Sequence, residues 1–115
     1  MPALAITDHG NMYGVKEFFK FANKHVDKAT GHFKVKPIIG CEVYVTRHYD
    51  PKLKDSEHRS YYHLILLAKN FDGYKNLMKI VSLGHIEGLY YGKPRVSHEI
   101  IEKYHENLIC CSACL

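Results

Sequence analysis

The chain of 115 residues contains no apolar run long enough to cross a bilayer as a helix. It has no basic segment leading into an apolar stretch and a small-residue cleavage site, so no export signal is expected. Internal repeats and low-complexity tracts are absent, which argues against solenoids and disordered linkers. No CxxC pair recurs. The four cysteines are Cys41, Cys110, Cys111 and Cys114, and the single Cys111–Cys114 spacing is weak support for redox chemistry. Reduced thiols in a cytoplasmic setting are the simplest expectation. Charge of one sign is also scarce. The net charge is only +4, with lysines scattered among acids, which permits nucleic acid as a partner without establishing it.

What the chain does have is nine histidines and ordinary globular composition, enough for one modest core. Residues 3–7 read as a short buried strand. Asn11 is placed to cap a helix to about residue 26, where Val15, Phe18, Phe19 and Ala22 recur at helical spacing. A second strand, rich in β-branched residues, spans 36–46. Residues 47–60 read as a charged, exposed loop. A third strand covers 61–69, and Asn70 caps a helix carrying Tyr74, Leu77, Met78 and Val81. A Gly- and Tyr-rich connection over 84–94 follows, then a short helix capped by Ser97, and a fourth strand over 107–113.

Strands alternating with helices imply an α/β fold with about four mainly parallel strands, flanking helices and right-handed crossovers. A closed barrel needs roughly 200 residues or more, so the chain reads as a single partial barrel over residues 1–115. Active sites of such folds gather at the C-terminal strand ends. Asp8 and His9 stand where the first strand ends. Glu42 interrupts the apolar second strand, where an unpartnered carboxylate is costly. His63 lies in the third strand, and Cys114 follows the fourth. These are the ligand types of Zn²⁺ and related metals. Each has a bland role when taken alone: a core histidine, a salt-bridged glutamate, a small buried thiol, a turn-shaping aspartate. Convergence at four strand ends is what favours the metal reading.

The stretches TDHGNMYG, KPIIGCEVYV, YYHLILLAKNFDGYKNLMKIVSLGHIEGLYYGKPRV and NLICCSACL resemble the PHP (polymerase and histidinol phosphatase) family. The resembling branch sits at the N-terminus of bacterial replicative DNA polymerase III alpha subunits. The resemblance implies a distorted (β/α) barrel holding a divalent metal cluster, with Zn²⁺ first and Mn or Fe as alternatives. It implies His9, Glu42, His63 and Cys114 as metal ligands, and Asp8, His9 and Glu42 as catalytic residues, Asp8 acting by orienting a ligand. Ala113 replaces the Gly usual before that cysteine. The family's opening HxH pair and closing Asp-x-His pair are not in these residues, so the site would hold about half of its ligands.

The resemblance also implies phosphoester hydrolysis, in polymerases as 3′→5′ proofreading. Implied partners are DNA, other polymerase III holoenzyme subunits and the remaining PHP and palm regions, with no membrane. An uncovered sheet edge adds self-association as an expectation. Rival readings are a free-standing phosphoesterase on a small phosphate and a non-catalytic brace. His25, His32, His48, His58, His98 and His105 are expected to be solvated. His85 has no ligand role in the family pattern. Cys41, Cys110 and Cys111 are expected to pack. Tyr90 and Tyr91 are expected to pack a loop more readily than to stack on bases.

Overall fold

A computed structural model describes residues 1–46 and 60–114. The expected loop over 47–60, with His48 and His58, lies outside the described residues except for Ser60. The chain runs β1 (Ala3–His9), α1 (Val15–Lys24), β2 (Lys36–Thr46), β3 (Tyr61–Ala68), α2 (Phe71–Glu87), β4 (Leu89–Tyr90), β5 (Lys93–Val96), α3 (His98–Lys103) and β6 (Leu108–Ser112). No helix among the described residues is long and apolar enough to cross a membrane.

The α/β class expected from the sequence is found, as a mixed sheet. β2 is its axis. The first half of β2 pairs in parallel with β1, and Tyr44 and Val45 pair in parallel with β5. β3 runs antiparallel to both β2 and β6. The alternation of strands and helices predicts parallel pairs, and it holds across α1. It fails between β2 and β3, and again between β3 and β6, which are antiparallel although α2 and α3 lie between them.

Side chains alternate across β2. Cys41, Val43 and Val45 pack with Leu66 of β3, Leu77 and Ile80 of α2, and Val96 of β5 to form the core. Glu42, Tyr44 and Thr46 take the opposite face and are also buried. Helix α2 starts as expected: the Asn70 side chain accepts a hydrogen bond from the Gly73 N–H at 2.9 Å. Ser97 caps α3 in the same way through the Ile100 N–H, at 3.3 Å.

Three local expectations are corrected. Asn11 does not cap α1; its side chain closes a local turn onto Tyr13, and Gly14 takes the N-cap position. The connection expected from residue 84 is helical to Glu87 and then forms the β4–β5 hairpin, because Gly84 is tolerated inside a helix packed against β5. Cys110 and Cys111 are exposed rather than packed, whereas Cys41 is fully buried. β6 is the last strand of the described sheet, so its faces are less covered.

Burial pushes the Cys41 thiol up from 9.0 to about 12, and its Sγ lies 3.5 Å from the Asp8 carbonyl oxygen. The folded state therefore holds this proton more tightly than the unfolded chain does. The stability it contributes is complete below pH 9.0 and is lost as pH rises from there to about 12. The span between those values corresponds to at most about 4 kcal/mol. Unfolding measured against pH should fall less steeply above pH 9 in Cys41→Ala than in the native chain. Identical slopes would contradict this assignment.

Candidate functional site

Glu42 forms the centre of the site. The flush register of β1 on β2 sets His9 directly opposite Glu42. His9 Nδ1 contacts Glu42 Oε2. His63 approaches the other oxygen, with Nδ1 at 3.5 Å from Oε1. The Glu42 side chain is 11% exposed, His63 is 30% exposed and His9 is 77% exposed. One buried carboxylate is thus flanked by two imidazoles, graded from half-covered to open. The antiparallel direction of β3 makes this possible: it brings the start of β3, where His63 sits opposite Tyr44, to the end of the sheet where β1 stops.

The ring of His63 is set by aromatic neighbours. Tyr61 stacks on it at 5.7 Å between centroids, and Tyr44 meets it edge to face at 5.3 Å. These contacts fix the imidazole plane and partly shield the carboxylate from water.

Asp8 has a different place. Its Oδ2 accepts a hydrogen bond from the Gly14 N–H at 2.9 Å, and its register partner is Cys41 rather than Glu42. The carboxylate ties the end of β1 to Gly14, the N-cap residue of α1, where negative charge also meets the helix dipole favourably. Asp8→Ala should therefore destabilise the fold by about 1 kcal/mol. Urea unfolding of Asp8→Ala beside Asp8→Asn measures it; no loss in the alanine variant would contradict the tie.

Between His9 and α1 the chain turns at Gly10, with φ of 67°, the left-handed region that glycine adopts readily. A Cβ there would lie 2.7 Å from Tyr44 Cε2 and 3.0 Å from Pro94 Cγ. The turn is pinned from both sides: the Gly10 N–H donates to the Glu42 carbonyl at 2.8 Å, and His85 Nε2–H donates to the Gly10 carbonyl, also at 2.8 Å. His85 is the residue that sequence reasoning missed. It holds the loop that carries His9, and only its place in the last turn of α2 hints at this.

Cys114 lies two residues beyond β6 and is exposed. Because β6 is antiparallel to β3, its C-terminal end lies at the same end of the sheet as His63. Among the described residues, no three His, Cys, Asp or Glu side chains form a ready metal-holding group. The donor chemistry fits a metal in part: two imidazoles and a carboxylate converge, and a thiol follows the strand two places away in the sheet. Of the other described histidines, His25, His32, His98 and His105 are exposed, as expected.

A mixed α/β sheet that gathers imidazoles around a buried carboxylate where β1 ends belongs to the class of α/β domains that carry their sites at strand ends. The chain belongs to the PHP domain family, whose model matches residues 1–115. PHP domains are generally metal-dependent. The chain is 51% identical over 116 residues to a protein named DNA polymerase III subunit alpha from Treponema pallidum, covering 98% of this chain and 9% of that protein. It is 46% identical to the protein of that name from Borreliella burgdorferi, covering 100% of this chain and 9% of the relative. The one from Thermus aquaticus is also 46% identical, covering 99% of this chain and 9% of the relative. The chain thus spans about a tenth of the length of these relatives.

Proposed function

We propose that this chain is part of a replicative DNA polymerase III alpha subunit, and that its strand-end cluster contributes to a metal-dependent phosphoesterase site acting 3′→5′ on DNA. The observation that carries the reading is the Glu42 carboxylate held between His9 and His63. His9, Glu42 and His63 would hold the metal, with Cys114 and donors from the rest of the longer polypeptide completing the set. Imidazole and thiolate donors favour Zn²⁺ over Mn²⁺ or Fe. When bound, such ions supply hydroxide near neutral pH and a charge clamp for the phosphate.

The chain's own residues prepare that chemistry. With Nδ1–H donated to Glu42, His9 keeps its Nε2 lone pair toward solvent, ready to take a proton or a ligand position. Tyr61 and Tyr44 fix the plane of His63. His85 and Asp8 hold the loop and helix on either side of His9 as positioning residues. DNA, the other holoenzyme subunits and the remaining PHP and palm regions are the partners this reading implies, in the cytoplasm.

The test uses the full-length subunit that carries this segment. A 3′-labelled single-stranded oligonucleotide should lose its terminal nucleotide with the native protein. Release should cease in Glu42→Ala and His63→Ala while primer extension persists. Undiminished release in Glu42→Ala would refute the site. Loss of bound metal without any native release would favour a brace that binds metal for structure alone.

A further inference from the structure

We propose that the β4–β5 hairpin is a nucleotide-holding subsite, in which Lys93 takes a substrate phosphate and Tyr91 stacks on a base. This rests on the phosphoester reading and adds residues to it.

The root of the hairpin is fixed beside the site. The Arg95 N–H donates to the Gly88 carbonyl at 3.0 Å, Arg95 pairs with Tyr44 on β2, and Pro94 lies against the Gly10 turn. Tyr90 is 7% exposed, with the Arg95 guanidinium 4.3 Å from its ring centroid. The hairpin is therefore a firm support.

Its tip is built differently. Tyr91 and Gly92 form a two-residue loop between the paired Tyr90 and Lys93. Both have positive φ, 46° and 77°, the pattern of a type I′ turn, for which Asn-Gly is the favoured pair. A bulky tyrosine at the first position is strained. Its ring meets that of Tyr90 edge to face, 4.7 Å between centroids, yet the residue stays 89% exposed. Strain retained at an exposed aromatic is the kind of outlier that points to a role outside folding.

Lys93 supplies the second element. Its ammonium donates to the Tyr44 hydroxyl at 3.5 Å and stands 5.0 Å from the Tyr44 ring centroid. Tyr44 in turn meets His63, which approaches Glu42. An anionic substrate nearing the Glu42 carboxylate is repelled unless a cation offsets it, and the Lys93 ammonium, held against Tyr44 on the same face of β2, supplies one. A phosphate accepting from Lys93 Nζ and the Tyr44 hydroxyl, with a base on Tyr91, is the usual pairing of charge and stacking for single-stranded nucleic acid.

The experiment uses the full-length subunit, a 3′-labelled single-stranded oligonucleotide, and four variants. Lys93→Ala should raise KM about tenfold with kcat within about twofold, and Lys93→Arg should restore KM. Tyr91→Asn, which suits the turn, should raise KM about fivefold, whereas Tyr91→Phe should not. Bound metal should stay constant throughout. Unchanged KM in both Lys93→Ala and Tyr91→Asn, or loss of metal in either, overturns the subsite. If the native protein releases no nucleotide, the hydrolytic reading fails on its own, and binding decides the subsite. An oligothymidylate should then protect Lys93 from acetylation in the native protein and less so in Tyr91→Asn. Absence of protection overturns the proposal.

Discussion

Replacing Glu42 by alanine in the full-length subunit is expected to remove most of the bound divalent metal and to lower 3′ nucleotide release by at least about 100-fold. The size of the effect follows from geometry. Among the described residues Glu42 is the one carboxylate that both His9 and His63 approach, so its loss frees two imidazoles as well as one oxygen ligand. Glu42→Gln separates charge from shape. It keeps a hydrogen-bond acceptor for His9 but removes the negative charge that attracts a cation, so metal should fall nearly as far. The fold should survive both changes, because replacing a buried charge by a neutral group removes its desolvation cost and leaves two histidines that can stay neutral. Metal determined by mass spectrometry, with circular dichroism as the check on folding, measures all three. Full metal content in Glu42→Ala would place the ions elsewhere in the longer polypeptide.

Gly88→Ala is expected to destabilise the domain by about 3 kcal/mol, the upper part of the range for overpacking. A Cβ at Gly88 would run into the carbonyl oxygen of Arg95, a backbone atom that cannot swing aside. The chain must then separate the end of α2 from β5, breaking the hydrogen bond from the Arg95 N–H to the Gly88 carbonyl. Because β5 also borders the Gly10 turn, the damage should reach the candidate site. Gly31→Ala is the matched control: nothing lies within 4 Å of its added Cβ, although its φ of 73° carries local strain. Hydrogen exchange across residues 88–96 should speed up strongly in Gly88→Ala and not in Gly31→Ala. Equal behaviour of the two would mean that α2 and β5 separate without penalty.

The fold was legible where local chemistry decides. β2 has the bounds its β-branched composition predicts, and Asn70 and Ser97 cap the helices that follow them. The β4–β5 hairpin was not legible, because a tyrosine at a positive-φ position hides the usual Asn-Gly signal. Asn11 looked like a cap for a good reason, yet the Asp8 carboxylate reached α1 from the strand side. No local rule distinguishes two polar residues competing for the same helix start.

The sequence by itself determined which residue types stand near each strand end, the extent of β2 and the starts of α2 and α3, because caps and periodicity act over a few residues. Only the tertiary structure decided which of those residues meet. The flush register of β1 on β2 puts His9 rather than Asp8 on the face of Glu42, since a shift of one residue turns every side chain to the other face. The antiparallel return of β3 brings His63 to the end of the sheet where His9 stands; a parallel β3 would have carried it to the opposite end. His85, 75 residues from Gly10 along the chain, holds the loop bearing His9 only because α2 packs beside that turn. Strand direction and register are set by long-range pairing and connection geometry, which no short stretch of sequence encodes alone.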